Sequence, residues 1–262
     1  MDLAEIHQIV VLGSGNLATR LSIALQLAGL EIIQIYGRNI RHAETLAIHL
    51  GTKWTNDLKA VIPSADLYLL CLSDDALTEV IGAFPFKDKL LVHTSGTISM
   101  DVFQNFQNNY GIFYPLQTFS KNKEIEFEDI PICIEANTKT NESKLVRLAE
   151  KISNNIHLIS SDQRKTLHIA AVFASNFTNY FYSVSKDILE SNQLSFNLLK
   201  PLIIETVEKA MSQNPDETQT GPARRGDKKI ISTHLDFLNS RPEFKEMYEL
   251  ISKHIMNKYS KQ

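Results

Sequence analysis

Apolar and polar positions follow two different rhythms along the 262 residues. Up to about residue 160, short apolar runs alternate with stretches in which apolar residues recur every three or four positions, the rhythm of strands alternating with helices. The runs are Ile9 to Leu12, Glu31 to Tyr36, Lys53 to Thr55, Asp66 to Leu72, Lys89 to Thr94, Gly111 to Tyr114, Ile130 to Glu135 and Ile156 to Ile159. Helices are predicted after the first run, through Leu17, Leu21, Ala24, Leu25 and Ala28, and then over 40–50, 76–83, 99–106 and 139–152, with a helical turn at 57–62. The charged stretch Lys121 to Asp129 reads as a surface excursion. From Ser161 onward no strand pattern remains. Asp162 is expected to cap a long helix running to about Glu190, followed by helices over 195–212, with Pro201 near its start, 227–238 and 242–257. The fold class is therefore α/β: an N-terminal doubly wound domain over residues 1–160, followed by an all-α domain over 161–262.

The first strand ends in a glycine turn that changes this picture from architecture to chemistry. Gly13, Gly15 and Ala18 stand at GxGxxA spacing between a strand and a helix, the context in which that motif binds a dinucleotide. Gly13 permits the tight turn, Gly15 admits a pyrophosphate to bare backbone, and Ala18 lets helix and strand pack closely. Gly13, Ser14, Gly15, Asn16, Leu17 and Ala18 are accordingly the expected phosphate cradle. NAD sites commonly carry an acid about 20 residues further on, yet here the second strand ends in Gly37-Arg38-Asn39. Arg38, with Asn39 and Arg41 nearby, offers a planar fork to a 2′-phosphate, so the expected cofactor is NADP. Loops at the carboxyl ends of the following strands line the same crevice in such sheets. They place Leu72 and Ser73 on the adenosine side, and His93, Ser95 and Gly96 near the nicotinamide. For His93, a buried ring bonded to backbone is the competing reading, and Asp74 and Asp75 read as helix caps.

On the long helix, residues 11 apart differ by about 20° in azimuth, which puts His168 and Asn179 on one stripe with Ser175 and Asn176 nearby. Lys165 lies one turn before His168. A polar stripe on an apolar helix is costly to bury unless paired, so these residues are candidates to line a cavity. His168 would donate a proton to a carbonyl or imine while asparagines hold the substrate. The alternative is a solvated Lys165 and polar groups satisfied by neighbouring helices. Arg224 and Arg225, in the loop Gln219 to Asp227, are suited to a carboxylate or phosphate.

Charge and composition narrow the partners. A net charge of -3 gives no reason to expect nucleic acid or an acidic membrane. No run approaches the roughly 18 apolar residues of a spanning helix, and MDLAEIH is acidic where a signal peptide is basic, so a cytoplasmic protein is expected. Cys71 and Cys133 each sit inside an apolar run and are expected as buried free thiols, with no metal site.

The segments VLGSGNLA, LYLLCLSDDAL, HTSG, YPLQTFS, LHIAAVFASNFTNY, PLIIETVEKA and QTGPARRGD resemble those of the Rossmann-like NADP oxidoreductase family, which is related to pyrroline-5-carboxylate reductase, ketopantoate reductase and the deazaflavin-dependent NADP reductases. The resemblance covers nearly the whole chain. It implies an NADP domain, a helical dimerisation domain resembling that of 6-phosphogluconate dehydrogenase, and an active cleft between them, hence a homodimer acting on a small molecule. Many relatives place a catalytic lysine on the first long helix of the second domain, with an asparagine further along. Here His168 stands in that region with Asn176 beyond it, and Lys165 is the second candidate. The expected function is hydride transfer to or from a small anionic carbonyl or imine compound. A non-catalytic NADP-binding regulatory module and an NADPH-dependent flavin or deazaflavin reductase are the alternatives.

Overall fold

The computed structural model describes residues 5–259, and the chain divides into two compact units between Val172 and Phe173. In the first, strand β1 (Gln8–Leu12) is followed by helix α1 (Asn16–Leu27), β2 (Glu31–Tyr36), α2 (Ile40–Leu50), β3 (Lys53–Thr55), β4 (Leu67–Leu70) and α3 (Asp74–Ala83). Then come β5 (Leu90–His93), β6 (Asn109–Pro115), β7 (Ile132–Ala136), α4 (Lys139–Glu150), β8 (Ile156–Leu158) and α5 (Ser161–Ala171). The eight strands form one sheet in the order β3-β2-β1-β4-β5-β6-β7-β8, antiparallel only between β6 and β7. The chain builds outward from β1 through β2 to β3, then returns to lay β4 on the other side of β1. That reversal opens a crevice at the carboxyl ends of β1 and β4, where the glycine turn lies.

The central strands read as continuous apolar runs because both of their faces are covered. Successive side chains alternate between faces, so Ile9, Val11, Leu67, Leu69 and Val92 join one core while Val10, Leu12, Tyr68, Leu70 and Leu91 join the other. Helices α1, α2 and α4 cover the first face, and α3 covers the second.

Three local expectations are corrected. Where the pattern predicts a helix from Ser99 to Phe106, one 3-10 turn forms over Met100–Phe103. Its Phe103 is fully buried, with the rings of His93 and Tyr110 each stacked 5.4 Å away. Ser160, not Asp162, caps α5. Its hydroxyl accepts from the Gln163 N–H at 3.3 Å while the Gln163 side chain accepts from the Ser160 N–H at 2.9 Å, a reciprocal capping box. The long helix also does not run unbroken to Glu190, because a π turn spans Val172–Phe177.

The second unit holds α6 (Thr178–Glu190), a 3-10 turn at Phe196–Leu199, α7 (Lys200–Ser212), the single turns α8 (Pro215–Thr218) and α9 (Pro222–Arg225), α10 (Lys228–Phe237) and α11 (Pro242–Tyr259). Pro201 in the first turn of α7 needs no intrahelical acceptor for the N–H it lacks. Tyr248 Oη lies 2.7 Å from His234 Nδ1, tying α11 to α10, and Lys258 pairs with Asp216 of α8. Neither α6 nor α7 contains a buried residue.

Among the glycines, Gly13 in the turn after β1 leaves the least room for a side chain. Its φ is +134°, and a Cβ there would stand 2.1 Å from the carbonyl oxygen of Cys71. Gly13→Ala is therefore expected to destabilise the protein by about 2 to 4 kcal/mol through backbone strain and displacement of β4. Urea denaturation of the two proteins measures this directly.

Candidate functional site

The crevice begins at the glycine turn. The Gly13 N–H donates to Tyr36 O at 2.8 Å and the Cys71 N–H to Leu12 O at 2.8 Å, so the turn is fixed from both neighbouring strands. Gly15 is the N-cap of α1 with no side-chain cap, and the space a Cβ would occupy there is open. The N–H groups of Asn16, Leu17 and Ala18 precede the first intrahelical donor, Thr19 N–H to Gly15 O at 3.0 Å, and no acid stands in the first turn. This combination suits an anion. Ser14 and Gly37 approach closely: a Cβ on Gly37 would meet Ser14 Oγ at 3.1 Å.

At the end of β2, Arg38 is exposed and its guanidinium lies 4.0 Å from the Glu79 carboxylate. Such an exposed pair contributes little and leaves the arginine able to exchange partners. Asn39 serves first as a helix cap, its Oδ1 accepting from the His42 N–H at 3.1 Å, which leaves its amide nitrogen for any ligand. Leu72 is half-buried, and Ser73 exposes a hydroxyl at the N-cap of α3 that makes no cap bond.

The loop after β5 departs from expectation. His93 is fully buried, its Nδ1 accepting from the Ser95 N–H at 3.1 Å, so its ring is enclosed by protein and not presented to the crevice. Burial, aided by the positive charge of Arg164, holds its pKa down to about 3. The Ser95 hydroxyl is likewise committed inward, accepting from the N–H groups of Thr97 at 3.1 Å and Ile98 at 3.0 Å. Asp74 accepts from the Thr97 hydroxyl and so braces the loop against α3 as well as beginning that helix. Gly96 has no room for a side chain: a Cβ would lie 2.5 Å from His168 Nδ1 and 3.1 Å from Tyr114 Oη.

Arg164 holds α5 against this loop. Only 1% exposed, it donates Nε to Ser95 O at 3.1 Å, Nη1 to the Glu135 carboxylate at 2.9 Å and Nη2 to Ser161 Oγ at 3.2 Å, and it also bonds Ile98 O. Ser161 closes the ring by donating to Glu135 at 2.6 Å and accepting from the Met100 N–H at 2.9 Å. One turn on, half-buried His168 sits over Gly96 with its Nδ1 3.0 Å from Tyr114 Oη. Tyr114 is buried near the carboxyl end of β6, and that burial pushes its pKa up to about 12. Lys165 points to solvent and makes no side-chain hydrogen bond or ion pair among the described residues. Tyr114, Arg164 and Glu135 were not among the expected site residues. The available signal was the i, i+3, i+7 spacing of Ser161, Arg164 and His168, which share one helix face.

The 11-residue spacing of His168 and Asn179 assumes an unbroken α-helix, whereas a π turn with its wider i→i+5 winding spans Val172–Phe177. Asn176 lies within that turn and Asn179 on α6, both exposed. In α9, bracketed by Gly221 and Gly226 at positive φ, the Arg224 guanidinium stacks 4.4 Å over the ring of Tyr259, while Arg225 is exposed. Cys71 and Cys133 are free thiols, and burial pushes both up, to about 12 and about 11. Among the described residues no cluster of three or more His, Cys, Asp or Glu can hold a metal, and no helix is long and apolar enough to cross a membrane.

Comparison with known proteins bears on this arrangement. A family model described as NADP oxidoreductase, coenzyme F420-dependent, matches residues 8–96. A crystal structure described as a putative NADP oxidoreductase from Bacteroides fragilis is 40% identical, with 97% of this chain and 98% of that one covered at a TM-score of 0.91. The chain belongs to this Rossmann-like NADP oxidoreductase family. A domain of unknown function, DUF2520, matches residues 130–255 of the chain. An imine reductase from Myxococcus stipitatus in complex with NADP+ shares the fold at 15% identity, 95% and 93% coverage and a TM-score of 0.68. A 1-pyrroline-5-carboxylate reductase from Streptococcus pyogenes does so at 14% identity, 95% and 98% coverage and 0.63. No curated protein matches the chain in sequence.

The buried histidine makes the fold acid-sensitive. Its pKa falls from about 6.5 to about 3 on folding, so the unfolded chain binds the proton first. The stabilisation is complete above pH 6.5 and is lost as pH falls toward 3, at up to about 1.4 kcal/mol per pH unit. Between pH 7.5 and 4.5 the wild type should lose about 2 to 3 kcal/mol more than His93→Gln, measured by denaturant unfolding at both pH values.

Proposed function

We propose that the protein is an NADP-dependent reductase of a small, anionic carbonyl or imine compound. The observation that carries this reading is the Tyr114–His168 pair at the same edge of the sheet as the glycine turn. The residues fit a dinucleotide: the open space above Gly15 and the free N–H groups of α1 suit its pyrophosphate, and Arg38 suits a 2′-phosphate. Leu72 and Ser73 would flank the adenosine side, and Gly96 the nicotinamide side. When bound, the reduced nicotinamide supplies a hydride. His168 places an imidazole N–H toward the substrate heteroatom on which negative charge develops. Asn176, Asn179, Arg224 and Arg225 are candidates to hold the substrate's polar groups, and Lys165 is the second candidate donor.

Arg38→Ala is expected to weaken NADPH binding by about 1.5 to 3 kcal/mol and leave NADH nearly unchanged, followed by nicotinamide fluorescence. Equal loss for both cofactors would remove the phosphate assignment, and binding of neither would remove the reductase reading. His168→Gln should keep NADPH affinity and lose turnover.

The reading includes a homodimer through the helical unit. Phe173 and Phe177 of the π turn and Leu202, Val207 and Met211 of α7 are all exposed, on segments that bury nothing of their own. An apolar surface of that kind marks an association face. Sedimentation at micromolar concentration should give a dimer that Leu202→Asp with Met211→Asp dissociates; a wild-type monomer would exclude it.

A further inference from the structure

The geometry points to Tyr114 as a positioning residue that sets which nitrogen of His168 carries the proton. The inference rests on His168 acting as the donor proposed above, but its own content is a property of the free protein. Tyr114 Oη and His168 Nδ1 are 3.0 Å apart, and the two rings meet edge to face with centroids separated by 6.1 Å. Gly96 makes that approach possible, since a Cβ at this position would overlap Nδ1 and Cγ of the imidazole at 2.5 and 2.7 Å.

The direction of the bond follows from counting donors and acceptors. A neutral imidazole carries its proton on one nitrogen only, and the other accepts. If Nδ1 carried it, Nδ1–H would donate to the phenol oxygen and leave the phenol's own proton without an acceptor. Among the described residues His168 is the only hydrogen-bond partner of Tyr114 Oη, and Tyr114 is buried. A buried O–H without an acceptor is disfavoured. If the phenol donates instead, both groups are satisfied and the imidazole proton must be on Nε2. The phenol keeps its proton at neutral pH, as any tyrosine does, and burial raises its pKa further, to about 12. Nε2–H is then the imidazole donor left free of Tyr114.

The frame around the pair is equally fixed. Tyr114 lies on β6, paired with Cys133 of the antiparallel strand β7. His168 lies on α5, which Arg164 locks to the loop that carries Gly96. Tyrosine and histidine are therefore supplied by separate elements whose spacing the buried ion pair maintains.

Long-range proton–nitrogen NMR of the imidazole rings tests this on the full chain without cofactor or substrate, with the pH raised until the ring is neutral. His168 is identified by the signals that vanish in His168→Gln. The wild type should show the Nε2–H tautomer, and Tyr114→Phe, which keeps the ring and loses the hydroxyl, should turn it into a mixture. A wild-type Nδ1–H tautomer overturns the inference whatever the stability of the variant, as does an unchanged tautomer in a folded Tyr114→Phe. Neither outcome depends on turnover. Failure of His168 as proton donor shows itself separately, as an active His168→Gln enzyme.

Discussion

A guanidinium ion that is 1% exposed is tolerable only if its donors find acceptors and its charge finds a counter-charge. Arg164 meets both conditions with one carboxylate, one hydroxyl and two backbone carbonyls, drawn from β7, from the start of α5 and from the loop after β5. Because those partners come from three separate pieces of chain, the arginine fixes their mutual positions. It binds the first helix of the second sequence region onto the sheet, and the compact unit consequently runs to Val172. It also contributes to the depressed pKa of His93 and holds the helix turn from which His168 reaches Tyr114. The Tyr114–His168 pair is thus anchored by a charge almost wholly withdrawn from solvent.

Much of the architecture was legible in the sequence because it is written in periodicity. Strands buried on both faces announce themselves as apolar runs, and the glycine turn after β1 has a steric requirement that the Cys71 carbonyl makes plain. Arg38, which stands where an acid would otherwise be expected, was picked out by its position after β2 and is the basis of the proposed 2′-phosphate contact. The orientation of the loop after β5 was not legible. Ser95 and His93 carry the right functional groups at the right strand end, yet local hydrogen bonds turn them inward. Whether a polar side chain at a strand end faces a ligand or its own loop is decided by two or three bonds that no spacing encodes.

On α5 the helical geometry turns Arg164 toward the loop after β5 and leaves Lys165 exposed, a distinction that residue type alone does not show. Tyr114, on a strand far away in sequence, becomes visible as a partner only when β6 is placed beside β5. By contrast, the helical unit's four longer helices were recognisable from their apolar intervals, while the many apolar residues they leave exposed could be appreciated only in three dimensions.

The π turn at Val172–Phe177 has a consequence for comparing this chain with its relatives. An extra residue within a helix changes the numbering of every face beyond it while leaving the helix looking continuous in sequence. Thr178 Oγ1 bonds Phe173 O across this turn at 3.2 Å, so the insertion is stitched into the helix. An alignment that carries one gapless register from Ser161 to Glu190 would match Asn176 to a relative's residue on a different side of the helix wherever that relative lacks the extra residue. Homologous positions before and after the turn need separate registers, and an asparagine's equivalence is a matter of azimuth before it is a matter of residue identity.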